Sequence, residues 1–170
     1  MIIGIDPGLT GAVAILEGQS LRVQDIPTAP GPKGRSVLLH RVLFDLLDLP
    51  PAAAFVELVS ARPGQGVTSM FRFGETLGAI HMALAARGHA LHQVTPAVWK
   101  RHFGITKDKG SSRALAAQRW PDAAAQFARV KDDGRAEAAL IAQYGADALS
   151  GRLPKSPRDR TLARLARLAE

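Results

Sequence analysis

Five acidic residues occupy positions at which an ordinary solvent-exposed acid does not explain the residue type. They are Asp6, Glu57, Asp132, Asp133 and Glu137. Carboxylates that meet in a folded protein repel one another and raise each other's pKa values unless cations lie between them. Oxygen-only ligand sets select hard divalent cations, and two such ions about 3.5–4 Å apart can activate a water and stabilise an in-line displacement at a phosphate. Metal-dependent phosphate chemistry is therefore what these residues could do together.

Two of the acids lie near the ends of predicted strands. Asp6 follows the apolar, β-branched run 1–5 and precedes the break at Pro7-Gly8, and Glu57 interrupts the apolar run 52–59. A carboxylate at the tip of a core strand is costly unless it is paired, and a metal ion is a natural partner. Two simpler interpretations stay open: Asp6 could cap the turn, and Glu57 could face solvent by strand alternation.

The other three acids belong to a predicted helix over residues 131–144, which ends at Gly145. Asp133 and Glu137 are at i and i+4 and therefore share one helix face, while the opposite face is apolar. Acids in a first helical turn also suit the positive end of the helix dipole, which accounts for Asp132 and Asp133 without any metal. The helix dipole accounts poorly for Glu137, and Asp132 is kept as an alternative metal ligand or as a group that supports the ligands.

The remaining elements must position these acids. Apolar runs predict strands over residues 1–5, 11–17, 21–26, 52–59 and 90–94. Helices are predicted over residues 36–47 with Ser36 as the cap, 67–87, 97–103, 111–119 and 131–144. Three meandering strands followed by alternating helices and strands predict an α/β fold, a mixed five-stranded sheet with helices on both faces.

Composition limits the class of protein. The 170 residues predict one domain, and the absence of cysteine excludes disulfides and thiolate metal sites. The net charge of +7 favours a polyanionic partner, nucleic acid before an anionic membrane surface, although a generally basic soluble protein has the same sum. No apolar stretch approaches the roughly 20 residues of a membrane span, and no basic leader precedes the first strand, so a cytoplasmic protein is expected.

Several motifs resemble those of RuvC-type Holliday-junction resolvases of the RNase H-like superfamily, and most closely the branch with phage RuvC-like proteins and chloroplast junction resolvases. They are the Gly-Ile-Asp-Pro-Gly-Leu-Thr-Gly of residues 4–11, Val56-Glu57, the Asp-Asp-Gly-Arg-Ala-Glu-Ala of residues 132–138, and the segments 99–104 and 109–112. The first motif is shared with other RNase H-like groups, whereas its combination with Gly-Arg-Ala-Glu-Ala is more specific. The resemblance covers residues 1–149 and leaves 150–170 as a basic C-terminal tail.

The resemblance implies an RNase H-like fold and a crossover junction endodeoxyribonuclease of DNA recombination and repair. It implies a homodimer, with helix 67–87 as the dimer element, two Mg²⁺ or Mn²⁺ ions per site, and branched DNA rather than a membrane as partner. Asp6 and Glu57 match the first two metal-binding acids, and Asp133 with Glu137 the last two. Bacterial RuvC spaces that last pair three apart, so the longer Glu137 must reach from one position further along. The cytoplasm of a bacterium or phage-infected host is the implied compartment, and a plastid stays open.

Two segments are predicted to contact DNA. The first is a basic cluster with serines at a helix start, which offer phosphate contacts: Lys100, Arg101, Lys107, Lys109, Ser111, Ser112 and Arg113. The second is Phe71-Arg72-Phe73, because in RuvC-type enzymes the corresponding segment approaches the crossover and an aromatic ring can wedge between bases. A solvated basic loop and ordinary aromatic packing are the alternatives. Arg135 could touch the phosphate or neutralise the acids, with a plain surface arginine as its alternative.

Other functions remain open from the sequence. One is an RNase H-like nuclease that acts on another branched or hybrid substrate, and another is a non-catalytic junction-binding protein. A sugar-kinase or actin-like ATPase fragment also begins with a strand-Asp-Gly turn, but the chain is short for a two-domain cleft and has no P-loop.

Overall fold

The computed structural model describes residues 1–60, 64–105 and 110–152, apart from the side chain of Lys33. The predicted DNA contacts of Lys107 and Lys109 lie outside the described residues, as does most of the predicted tail, residues 153–170.

The core of the fold is one mixed sheet of five strands. The strands of the described residues are β1 (Ile2–Asp6), β2 (Ala12–Glu17), β3 (Ser20–Asp25), β4 (Thr28–Pro30), β5 (Ser36–Leu38), β6 (Ala53–Glu57) and β7 (Ala90–Val94). The main sheet has the order β3-β2-β1-β6-β7, and β4 pairs with β5 separately. β1 runs antiparallel to β2 and parallel to β6, which confirms the predicted mixed five-stranded sheet.

Helices cover both faces of this sheet, as predicted. They are α1 (His40–Leu46), α2 (Val67–Ala86), α3 (Pro96–His102), α4 (Ser111–Arg119) and α5 (Asp133–Leu149), with 3-10 turns at Pro32–Gly34, Pro121–Phe127 and Val130–Asp132. Strand residues alternate between two buried clusters: Ile5 and Val56 pack towards α1 and α2, whereas Phe55 packs towards α5. Within the described ranges, no helix is both long and apolar enough to cross a membrane.

Two predicted helix boundaries were wrong. The helix expected over residues 36–47 begins only at His40, and Ser36 does not cap it, because residues 36–38 form β5 against β4. The last helix does not end at Gly145 but continues to Leu149. A side chain at Gly145 would overlap the ring of Phe55, so this glycine permits close packing on the sheet rather than a helix end.

The backbone of helix α5 packs directly against the backbone of β1. A Cβ atom at Gly4 would overlap the backbone of Ala138 and Ala142, so the strand and the helix meet without an intervening side chain. At the start of α5, a Cβ atom at Gly134 would lie 2.6 Å from the carbonyl oxygen of Thr10 and 3.1 Å from Oδ2 of Asp6. The first turn of α5 is therefore held against the carboxyl end of β1.

Candidate active site

Asp6 and Glu57 end neighbouring parallel strands. Ile5 of β1 is paired with Val56 of β6, and both pack towards α1 and α2. Because side chains alternate along a strand, the next residues, Asp6 and Glu57, face the opposite side of the sheet, where α5 lies. The structure thus brings two of the predicted acids side by side beneath the first turns of that helix.

Glu137 of α5 completes a cluster of three acids, called here the acid cluster: Asp6, Glu57 and Glu137. Burial first, and then the negative charges of Glu57 and Glu137, raise the pKa of the Asp6 carboxyl from 3.8 to about 7. The backbone N–H of Gly8, 3.4 Å from Oδ1 of Asp6, and the charge of Lys100 act in the opposite direction. Burial and the two neighbouring charges thus outweigh the groups that stabilise the Asp6 carboxylate.

Helix α3 supplies donors to two of these acids from adjacent residues. The indole Nε1 of Trp99 donates to Oε1 of Glu57 at 2.9 Å, and Nζ of Lys100 donates to Oε1 of Glu137 at 2.7 Å. The Ser112 hydroxyl also donates to Oε1 of Glu137, at 3.5 Å. Trp99 is fully buried, whereas the side chain of Lys100 keeps 32% of its surface exposed.

The two aspartates at the start of α5 have separate partners. Asp133 accepts from Nε of Arg113 at 2.7 Å. Asp132 is 1% exposed and accepts from Nη2 of Arg129 at 2.8 Å and from the Arg129 backbone N–H at 2.9 Å, and these bonds hold its pKa below the usual value. The role of each as a metal ligand stays a prediction, but Asp132 serves as a buried cap that fixes the turn before α5.

The predicted DNA-binding residues fall into several groups. Lys100 and Ser112 donate hydrogen bonds to Glu137, and Arg113 donates to Asp133. Arg101 is exposed on α3, and Ser111 is the first residue of α4. Arg135 forms an ion pair with Asp25, with Nη2 at 2.7 Å from Oδ2, outside the acid cluster.

The aromatic segment lies at the start of α2. Phe71 is 76% exposed, Phe73 is partly buried, and the guanidinium of Arg72 donates to the carbonyl oxygen of Ser36 at 3.2 Å. This bond ties the first turns of α2 to β5 and leaves the Phe71 ring in solvent.

The donor set fits a hard divalent cation in charge and in ligand type. Its acids offer carboxylate oxygens, and the pKa of Asp6 is raised first by burial and then by the negative charges of Glu57 and Glu137. Among the described residues, no three His, Asp or Glu side chains are spaced as a ready-made metal site. Donors of α3 contact two of the acids, with Trp99 bonded to Glu57 and Lys100 to Glu137.

The sequence alone did not predict the hydrogen bonds from α3 to Glu57 and Glu137. Trp99 is completely buried, and its hydrogen bond to Glu57 was not predicted. One signal was present, since a buried tryptophan needs an acceptor for its N–H. The pairing of Arg129 with Asp132, three residues apart, was likewise detectable only as a local capping pattern.

Comparisons with known proteins bear on the fold. No protein-family model and no curated protein sequence matches this chain. The structure is similar to Thermus thermophilus RuvC in complex with a Holliday junction substrate, with a TM-score of 0.60 and 17% identity over 85% of this chain and 93% of that one. A second Thermus thermophilus RuvC structure has a TM-score of 0.55 and 20% identity over 85% and 94%. The predicted RuvC-type, RNase H-like fold is confirmed.

Proposed function

With the RuvC-type fold as the premise, we propose that this protein is a metal-dependent endonuclease that resolves four-way DNA junctions by paired phosphodiester hydrolysis. The observation that carries the proposal is the acid cluster, in which Asp6, Glu57 and Glu137 meet at the carboxyl ends of β1 and β6. A buried carboxyl whose pKa is raised by burial and by neighbouring acids, as that of Asp6 is, is typical of functional sites. One of the structural neighbours is RuvC bound to a Holliday junction substrate.

The acid cluster would hold the cations, with Asp133 as a fourth candidate ligand. Two Mg²⁺ or Mn²⁺ ions supply, when bound, an activated water and charge stabilisation at the scissile phosphate. Asp6 must lose its proton to serve as a ligand, and its pKa of about 7 means that a substantial fraction is protonated at neutral pH before a cation arrives. Lys100 offsets part of the negative charge through its 2.7 Å contact with Glu137.

The DNA would approach across α3, the start of α4 and the start of α2. Arg101 is exposed on α3 and follows Lys100 in the sequence, and Lys107 and Lys109 continue the same basic segment outside the described residues. Phosphate contacts from these side chains would make junction affinity fall steeply with salt. Phe71, exposed and held near β5 through Arg72, is the candidate wedge at the crossover.

The exposed face of α2 supports the proposed homodimer. Gly74 and Gly78 lie one turn apart, and a Cβ atom at either would meet nothing within 4 Å. Met82, on the same stripe, is 67% exposed. Small residues allow a second helix to approach closely, and a two-fold dimer suits a junction of near two-fold symmetry. Gly78→Arg should therefore yield monomers in sedimentation velocity and uncouple the two nicks.

Cleavage of a synthetic four-way junction tests the proposed function directly. The wild-type protein should cut the junction in Mg²⁺ or Mn²⁺ and spare a linear duplex of the same sequence, while Asp6→Asn should bind the junction equally and cut at least 100-fold more slowly, as expected of a lost ligand. Cleavage by Asp6→Asn at the wild-type rate would remove the metal mechanism. Junction binding without cleavage in either metal would favour the non-catalytic alternative, and preferential cleavage of a flap or an RNA–DNA hybrid would favour the other nuclease.

A further inference from the structure

Trp99 lies in the core but donates a hydrogen bond into the acid cluster. Its side chain is fully buried, and its Nε1 lies 2.9 Å from Oε1 of Glu57, which is itself only 7% exposed. A carboxylate on a flexible Glu side chain can rotate about its terminal torsion, which is a broad and soft one. A buried donor fixed by the surrounding core removes that freedom and selects one orientation of the Glu57 carboxylate.

We propose that Trp99 is a positioning residue, whose indole N–H orients the Glu57 carboxylate for binding a divalent cation together with Asp6. This inference rests on the proposed function, because it concerns the same site. Hydrogen bonds to ligating carboxylates orient them before the ion binds, and their loss typically weakens metal affinity or activity by about 10–100-fold.

The geometry of α3 strengthens this assignment. Trp99 and the adjacent Lys100 contact acids from two different elements, Glu57 of β6 and Glu137 of α5. The Lys100 ammonium also lies 4.9 Å from the centre of the Trp99 ring, so the two donors contact each other as well as the acids. Further along, His102 lies 3.0 Å from Oδ2 of Asp147 on α5, which anchors the end of α3.

The chain contains its own matched control. It has two tryptophans, and Trp120 is also buried, at 5% exposure, but its Nε1 has no hydrogen-bond partner among the described residues. Trp120→Phe therefore makes the same change in side-chain volume without removing a bond to an acid. A general effect of shrinking a buried tryptophan would appear in both variants, whereas a positioning effect would appear in Trp99→Phe alone.

The experiment is a calorimetric titration with Mn²⁺ of wild type, Trp99→Phe, Trp120→Phe and Asp6→Asn in the absence of DNA. We expect Trp99→Phe to bind Mn²⁺ about 10-fold more weakly than wild type and Trp120→Phe to stay within about twofold. Equal affinities for the two phenylalanine variants would overturn the positioning role alone. Wild-type protein that binds no Mn²⁺, or binds it unchanged after Asp6→Asn, would overturn the proposed metal site itself.

A second substitution covers the case in which Trp99→Phe does not fold. Trp99→benzothienylalanine keeps the shape of the fused ring and replaces only the N–H by sulfur, so the core packing around α3 is retained. The same loss of about 10-fold in Mn²⁺ affinity is expected. An affinity equal to that of wild type would show that the N–H does not position Glu57.

Discussion

Replacement of Asp6 by asparagine should stabilise the metal-free protein, by an amount that depends on pH. Burial and the charges of Glu57 and Glu137 raise the pKa of Asp6 from 3.8 to about 7 in the folded state. The ionised carboxylate is therefore less favourable in the folded chain than in the unfolded chain. The contribution of Asp6 to wild-type stability must therefore fall as the pH rises from about 4 to about 7, and no further loss from this group follows above that range.

The size of the effect follows from the shift. A difference of about three pKa units corresponds to about 4 kcal/mol, since each unit is worth 1.36 kcal/mol. Asparagine has nearly the same shape as aspartate and no charge, so Asp6→Asn does not lose the free energy that burying the ionised carboxylate costs the wild type. In EDTA, the variant should exceed the wild type in unfolding free energy by about 4 kcal/mol at pH 8 and by only about 1 kcal/mol at pH 4.5.

Urea unfolding of both proteins across this pH range provides the measurement. Asp122→Asn, which removes an exposed acid outside the cluster, controls for the change in net charge. Addition of Mg²⁺ at 100 times its dissociation constant should restore about 2.7 kcal/mol to the wild type and nothing to Asp6→Asn. A stability difference that does not grow with pH would refute the reasoning, because the acids would then not share one buried site.

Three further changes probe other parts of the molecule. Gly4→Ala should cost about 3 kcal/mol or more in urea unfolding, because its methyl group would overlap the backbone of α5. Asp132→Asn should cost about 1–3 kcal/mol through its weakened bond to Arg129 yet leave Mn²⁺ affinity unchanged, and a tenfold loss of affinity would identify Asp132 as a ligand instead. Phe71→Ala should preserve stability, since the ring is 76% exposed, but reduce 2-aminopurine fluorescence at the crossover if the ring separates bases; an unchanged signal would exclude the wedge.

The sequence predicted the sheet and the convergence of strand-end acids for a physical reason. Runs of β-branched residues specify buried strands. An acid at the end of such a run needs a partner, because burying an unpaired charge is costly. The short strand β5 was missed because three residues become a strand only when a partner such as β4 is in place. The partners of Arg113 and Trp99 were missed because residue type shows that a donor is present but not which acceptor the fold brings to it.

The contact between β1 and α5 has a consequence for the spacing of the acids. Main-chain atoms set the distance between strand and helix at Gly4, so the separation of Asp6 from Glu137 does not depend on interlocking side chains there. The two carboxylates keep their spacing only while residue 4 has no side chain. A side chain at this position would push α5 away from β1, and Glu137 would move with the helix.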